Sequence, residues 1–176
     1  MTPSNLRILT TVTLCATVVL SGCSVAKEPK APQSVSSKDL NCMSRAIYFE
    51  SNRSSRDGMI AVGSVVMNRV YSAKFPNTIC GVVGQNNQFA PGVMTRSMEH
   101  SGLPLAQETA RAVLRGERHP LVSKARFFHQ AGYSFPYDNM HYVVTAGGNA
   151  FYEKRPRRQV TQPVPLAPTE GITPAM

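Results

Sequence analysis

Glu50 stands where a carboxylate is costly. On a helix advancing about 100° per residue, Cys42, Met43, Ala46 and Ile47 fall within about 80° of Glu50, and Leu40 closes the far edge of that apolar stripe. A Glu in a core-facing stripe is expensive to ionise, so burial raises its pKa towards neutrality. A carboxyl that keeps its proton near neutral pH can serve as a general acid. The competing reading places Glu50 at the last helical turn, where it escapes to solvent or pairs with Arg45 or Arg53. The helical wheel leaves both open.

Other chemistry is poorly supplied. Between Asn41 and Gly92 the only acids are Glu50 and Asp57. Asp57 falls in a Ser54-Ser55-Arg56-Asp57 pattern that a helix cap explains. His100, His119, His129 and His141 show neither H-E-x-x-H nor another compact ligand spacing, so no metal and no other cofactor is expected. There is no G-x-S-x-G for a serine nucleophile. Gln85, Gln88 and Phe89 lie on a long Gly/Asn/Gln-rich stretch from Gly81 to Gly92, and His129, Tyr133, Asn149 and Tyr152 lie near later strands. All have side chains able to hydrogen-bond or stack on a bound ligand.

The elements that must position these residues occupy only part of the chain. Its 176 residues, 42% hydrophobic and 16% charged, suit one globular domain with non-globular flanks. Residues 1–22 read as a signal peptide, with Arg7 the only charged side chain before the apolar run Ile8 to Leu20. The run ends in Leu20-Ser21-Gly22-Cys23, which resembles the lipobox of bacterial lipoproteins. Cys23 would then carry lipid and anchor the chain to a membrane, and residues 23–37 would form a Lys/Pro/Ser-rich tether. Ser24 after the cysteine favours the outer membrane, facing the periplasm. An ordinary signal peptide with an incidental cysteine is the alternative.

After processing, Cys42 and Cys80 remain as one pair in an oxidising compartment. A disulfide is expected there, with two buried free thiols as the alternative. The formal charge is +9, and Lys154, Arg155, Arg157 and Arg158 cluster after Phe151-Tyr152. For an exported chain this suits anionic envelope polymers or lipid headgroups rather than nucleic acid, or else a solvated tail.

The folded domain is expected over residues 38–158. Ser36-Ser37-Lys38-Asp39 caps the Glu50 helix. Met59 to Val70 is apolar on nearly every face, as in a helix surrounded by its own protein. A third helix begins near Pro104 and ends before Gly116, with Leu105, Ala112 and Val113 towards the core. Arg126 to Gln130 and His141 to Thr145 are expected to pair as short strands around a Tyr133 to Asn139 turn. Residues 159–176 hold four prolines without aliphatic periodicity and read as a disordered tail. The fold class is helix-dominated α+β with a small β-hairpin region.

Several blocks carry a resemblance. They are Cys42-Met-Ser-Arg-Ala-Ile-Tyr-Phe-Glu50, Gly58-Met-Ile-Ala-Val-Gly-Ser-Val-Val-Met-Asn-Arg69-Val, Phe75-Pro-Asn-Thr-Ile-Cys-Gly-Val-Val-Gly-Gln85 with Gln88-Phe89, and Gly147-Gly-Asn-Ala-Phe-Tyr152. In this order they resemble the SleB/CwlJ-type cell wall hydrolase family over about Asn41 to Tyr152. The resemblance implies a lysozyme-like fold and cleavage of peptidoglycan glycan strands, typically as a lytic transglycosylase. It also implies a catalytic Glu50.

The chain departs from the family pattern at three places. No second carboxylate follows Glu50 before Asp57, Ala150 stands where many relatives carry His, and Gly84 stands where they carry Tyr. Hydrolytic glycosidases use two carboxylates. The shortage of acids here favours a one-carboxylate route, in which the muramic acid 6-hydroxyl attacks and leaves a 1,6-anhydro end. A non-catalytic peptidoglycan-binding lipoprotein, or a scaffold for envelope enzymes, is the rival reading.

Overall fold

A computed structural model describes residues 35–51, 55–99 and 101–174. The signal peptide, Cys23 and nearly all of the tether lie outside the described residues.

Helix α1 (Ser37–Glu50) opens with the expected cap, as the Ser36 hydroxyl accepts from the Asp39 N–H. It buries Cys42, Met43, Ala46 and Ile47. Helix α2 (Arg56–Val70) is capped by Ser55, one residue later than the start of the capping pattern, and Ser55 Oγ accepts from the Gly58 N–H at 3.0 Å. Nearly all of α2 is buried, as its lack of a polar face requires. A Cβ at Gly63 would sit 2.7 Å from Val113 Cγ2, so glycine there sets the close approach to the next long helix.

The Gly/Asn/Gln-rich stretch begins with a short helix that its composition conceals, α3 (Ile79–Val83), capped by Thr78. Cys42 and Cys80 form a disulfide that ties α3 to α1 across a sequence separation of 38. In the chain-entropy picture a loop of that length contributes about 3–4 kcal/mol. Helix α4 (Leu103–Leu114) has Pro104 in its first turn and buries Ala106, Thr109, Ala110, Ala112 and Val113. Leu105, expected in the core, is 38% exposed because the buried stripe passes through Ala106, one position on.

The strands depart further from expectation. β1 (Phe127–Gln130), β2 (Met140–Ala146) and β3 (Asn149–Lys154) form an antiparallel sheet in the order β1-β3-β2. The two strands expected to pair are therefore separated by β3. Gly147 and Gly148 adopt φ of 55° and 78°, the positive values a tight hairpin turn needs, so β3 folds straight back on β2. That leaves the other edge of β3 for β1, with Phe128 opposite Phe151.

Residues 159–174 are not disordered. After a 3-10 turn (Arg157–Gln159), the chain runs as a strap beside β2. The Tyr142 N–H donates to Gln162 O at 2.9 Å, and the Thr169 N–H donates to Thr145 O at 2.8 Å. Glu170 accepts from the Gly147 N–H at 2.6 Å, gripping the hairpin turn. Asp57 then accepts from the N–H groups of Ile172 (3.0 Å) and Thr173 (2.7 Å) and from the Thr173 hydroxyl. A strap held by main-chain bonds and two carboxylates needs no apolar period, which is why composition misread it.

Candidate functional site

Glu50 is the last residue of α1 and lines a cleft of about 360 Å³. The 87–89 loop forms one wall of this cleft, and β1 with the start of β3 forms the other. The Ala90 N–H donates to Glu50 Oε1, and Asn149 Nδ2 donates to Glu50 O at 2.7 Å. The side chain and the main chain of Glu50 are thus fixed from opposite walls. Burial pushes the Glu50 carboxyl above its ordinary value, and neither the Ala90 N–H nor the nearby Arg69 charge fully opposes it.

Arg45, one of the imagined partners of Glu50, is engaged elsewhere. Its guanidinium donates to the carbonyls of Val93 and Arg96, clipping the loop after Phe89 to α1. Arg53 lies outside the described residues. Among the described residues, Glu50 is the only acid lining the cleft. Asp57 is buried at 3% exposure and occupied by the strap, Glu108 pairs with Arg56 and Asp138 with Arg157. The capping explanation for Asp57 is thereby corrected: its oxygens receive the strap, not the first turn of α2.

Beneath the cleft lies a residue that the sequence reading passed over. Arg69 is 3% exposed, and its guanidinium lies 5.2 Å from the Phe89 ring centroid, 5.3 Å from that of Phe75 and 5.9 Å from that of Phe127. Its Nε donates to Arg126 O at 2.8 Å, while Nη1 has no partner among the described residues. Burial pulls its pKa down to about 10, so it stays charged at neutral pH and holds a positive field near Glu50. The signal was available. The one Arg within the all-round apolar run Met59 to Val70 has nowhere to go but inward.

The candidate ligand residues divide. Gln88, Phe89, His129 and Asn149 line the cleft beside Glu50. The His129 ring is held by Gln130 O at Nδ1 (2.9 Å) and by the Tyr142 hydroxyl at Nε2 (2.8 Å). The carbonyl can only accept, so Nδ1 carries the proton and, in the neutral ring, Nε2 accepts from Tyr142. Gln85 lies instead on a neighbouring cavity of about 320 Å³ under the 85–95 loop, with its Oε1 buried and unpartnered among the described residues. Tyr152 is stacked on Phe127 at 5.6 Å and packs near Tyr142, outside the cleft lining. Tyr133 is 61% exposed on the loop beyond β1. Strand alternation accounts for Tyr152: Phe151 takes the core side, so Tyr152 must take the other. Asn87, with φ of 57°, Phe49, Phe128 and Gln130 complete the lining.

Residues 53–152 match the family model described as Cell Wall Hydrolase, a stretch that begins just past Glu50. A spore cortex-lytic enzyme of Bacillus cereus is 40% identical over 63 residues, which is 36% of this chain and 24% of the relative. That of Bacillus subtilis is 30% identical over 80 residues, 46% of this chain and 25% of the relative. The chain therefore spans about a quarter of the length of these curated relatives.

Two solved structures share the fold. One is the catalytic domain of the germination-specific lytic transglycosylase SleB from Bacillus anthracis, and the other is the catalytic domain of the Bacillus cereus SleB protein. Each gives a TM-score of 0.58 at 25% identity over 69% of this chain, covering 99% and 94% of the respective neighbours. The expected helix-dominated, lysozyme-like α+β architecture is the one observed. The match over 53–152 takes in more than half of the sequence, and the chain belongs to the cell wall hydrolase family.

Proposed function

We propose that this chain cleaves peptidoglycan at the bond between N-acetylmuramic acid and N-acetylglucosamine, as a lytic transglycosylase with Glu50 as its single general acid and base. The observation that carries the reading is the site of Glu50: a carboxyl whose pKa burial raises, alone among the described acids in a cleft lined by amides and aromatic rings. The names of the relatives support the substrate class.

In the proposed cycle Glu50 donates its proton to the glycosidic oxygen, and the bond from that oxygen to C1 of the muramic residue breaks. The 6-hydroxyl of the same residue attacks C1 and passes its proton to Glu50, which restores the acid. Burial favours the protonated form of Glu50, while the Ala90 N–H and the Arg69 charge stabilise the carboxylate in between. Phe89 offers a ring and Gln88 an amide to the sugars.

Mass spectrometry of fragments released from unreduced sacculi tests the route. A 1,6-anhydro end is lighter by one water than a hydrolytic end. Predominantly hydrated, reducible muramic ends would replace this reading with a two-carboxylate muramidase, and free peptides with intact glycan would replace it with an amidase.

The cleft is proposed to work at the cell envelope, with the chain tethered through lipid on Cys23 to the outer membrane and facing the periplasm. The support is the Leu20-Ser21-Gly22-Cys23 sequence. Cys23→Ala should leave the precursor uncleaved or mislocalised, and a variant that fractionates with membranes in processed form would refute the anchor.

A further inference from the structure

The loop joining β1 to β2 exposes every residue from 132 to 138, and three of them are aromatic. Tyr133, Phe135 and Tyr137 are 61%, 45% and 65% exposed. They are not scattered. The Phe135 and Tyr137 rings lie nearly parallel, at 14° and 6.1 Å, and Phe135 stands edge-on to His129 at 4.8 Å. His129 lines the cleft, so an aromatic surface runs without interruption from the cleft wall outward.

The same surface ends in cations. Asp138, next to Tyr137, faces Arg157 at 3.7 Å, and the Arg155 N–H donates to Asn139 O at 2.9 Å. Arg157 and Arg158 are exposed, and Asp138 is the one acid facing Arg157 among the described residues. Neither Phe135 nor Tyr137 belongs to a hydrophobic core, so the fold gains little from holding two parallel rings in water.

We infer that Phe135 and Tyr137 form an outer pyranose-binding platform. It would take a sugar of the strand beyond the one at Glu50, with Arg157 and Arg158 meeting carboxylates of the stem peptides. The inference rests on the peptidoglycan reading above. The C–H face of a pyranose packs on an aromatic ring much as another ring does. Guanidinium groups are matched to carboxylates in shape as well as charge.

The test uses the full chain carrying Glu50→Gln, so that strands are bound and not consumed, with peptide-stripped tetrasaccharide, long peptide-stripped strands and long peptide-bearing strands as probes. Adding Tyr137→Ala should weaken both kinds of long strand by about fivefold and leave the tetrasaccharide unchanged. Arg157→Ala with Arg158→Ala should weaken only the peptide-bearing strands, with the loss shrinking as salt rises. The chain has no Trp, so Tyr137→Trp supplies a unique reporter whose emission should respond to strands and not to phosphatidylglycerol vesicles.

Equal losses on short and long strands after Tyr137→Ala, or none on either, would overturn the platform. A reporter that answers vesicles alone would assign the loop to a membrane surface and overturn it too. If the Glu50→Gln parent binds no strand, and the unsubstituted chain cuts none, the substrate reading itself fails and takes this inference with it.

Discussion

Glu50 and Asp57 lie seven positions apart, one closing α1 and half-buried at the cleft, the other buried in the first turn of α2. Burial raises both. At Glu50 it prevails, because among the described residues only the Ala90 N–H reaches the carboxyl and Arg69 acts from a distance. At Asp57 burial loses to the Thr173 hydroxyl and the N–H groups of Thr173 and Ile172, and the pKa falls below its ordinary value. The count of donors decides whether burial leaves a carboxyl's pKa above or below its ordinary value. One carboxyl lines the cleft and the other fastens the strap.

The sharpest way to break this contrast is Glu50→Gln. It should lower cleavage of sacculi by at least about 100-fold, because the amide fills the same space but carries no transferable proton. Its stability should move the opposite way. A raised folded pKa means the folded state binds the proton more tightly, so Glu50 costs stability as pH rises from its unfolded value of about 4.3 to its folded value. Glu50→Gln should therefore be at least as stable as the parent at neutral pH, and that advantage should vanish in acid. Denaturation at two pH values checks it, and a variant that retains parent-like turnover would end the catalytic assignment.

Asp57→Ala should do the reverse, costing about 2–4 kcal/mol of stability by orphaning three donors of the strap while leaving the Glu50 carboxyl in place. Limited proteolysis should then cut within residues 160–174. The lowered pKa also predicts that the parent's strap is secure above the unfolded Asp value of about 3.9 and loosens as pH falls through the folded value. A strap equally resistant in parent and variant would show that Asp57 does not fasten it.

A partial loss of activity should accompany the change, because the two carboxyl sites are linked. Glu170 grips Gly147 N–H, and a Cβ at Gly58 would lie 2.4 Å from Gly147 Cα, so turn, strap and α2 meet in van der Waals contact. Asn149, two residues on, holds Glu50 O. Asn149→Ala should lower kcat by about fivefold, the worth of one buried hydrogen bond, with KM little changed.

Arg69→Met is the finest adjustment. Removing the cation near Glu50 favours the protonated carboxyl, so the alkaline limb of the pH–rate profile should move to higher pH. An unmoved limb in a folded variant would show that Arg69 only supports the aromatic rings around it.

How much of this could be read beforehand depends on how local each signal is. The cap at Ser36, the all-round apolar α2 and the apolar stripe around Glu50 are one-dimensional patterns whose meaning a helical period settles. The pairing of Cys42 with Cys80 followed from elimination and redox compartment. The β order did not, although Gly147-Gly148 between two apolar runs is a hairpin signal that favours β2 with β3 over β2 with β1. Arg69 was legible only by asking where a charge goes in a helix with no wet face.

By itself, then, the sequence determined which residues could be helical, which stripe faced inward and which carboxylate stood on it, because these depend on neighbours within a few turns. Tertiary structure alone decided that Asp57 is a fastener, that residues 159–174 are a strap, and that Gln85, Tyr133 and Tyr152 stand away from the cleft while Asn149 reaches it. Those outcomes depend on which donors arrive from more than a hundred residues away, at Thr173 for Asp57, or from the opposite wall, at Ala90 for Glu50. A carboxylate's pKa is set by what surrounds it in space, and periodicity along a chain does not record that.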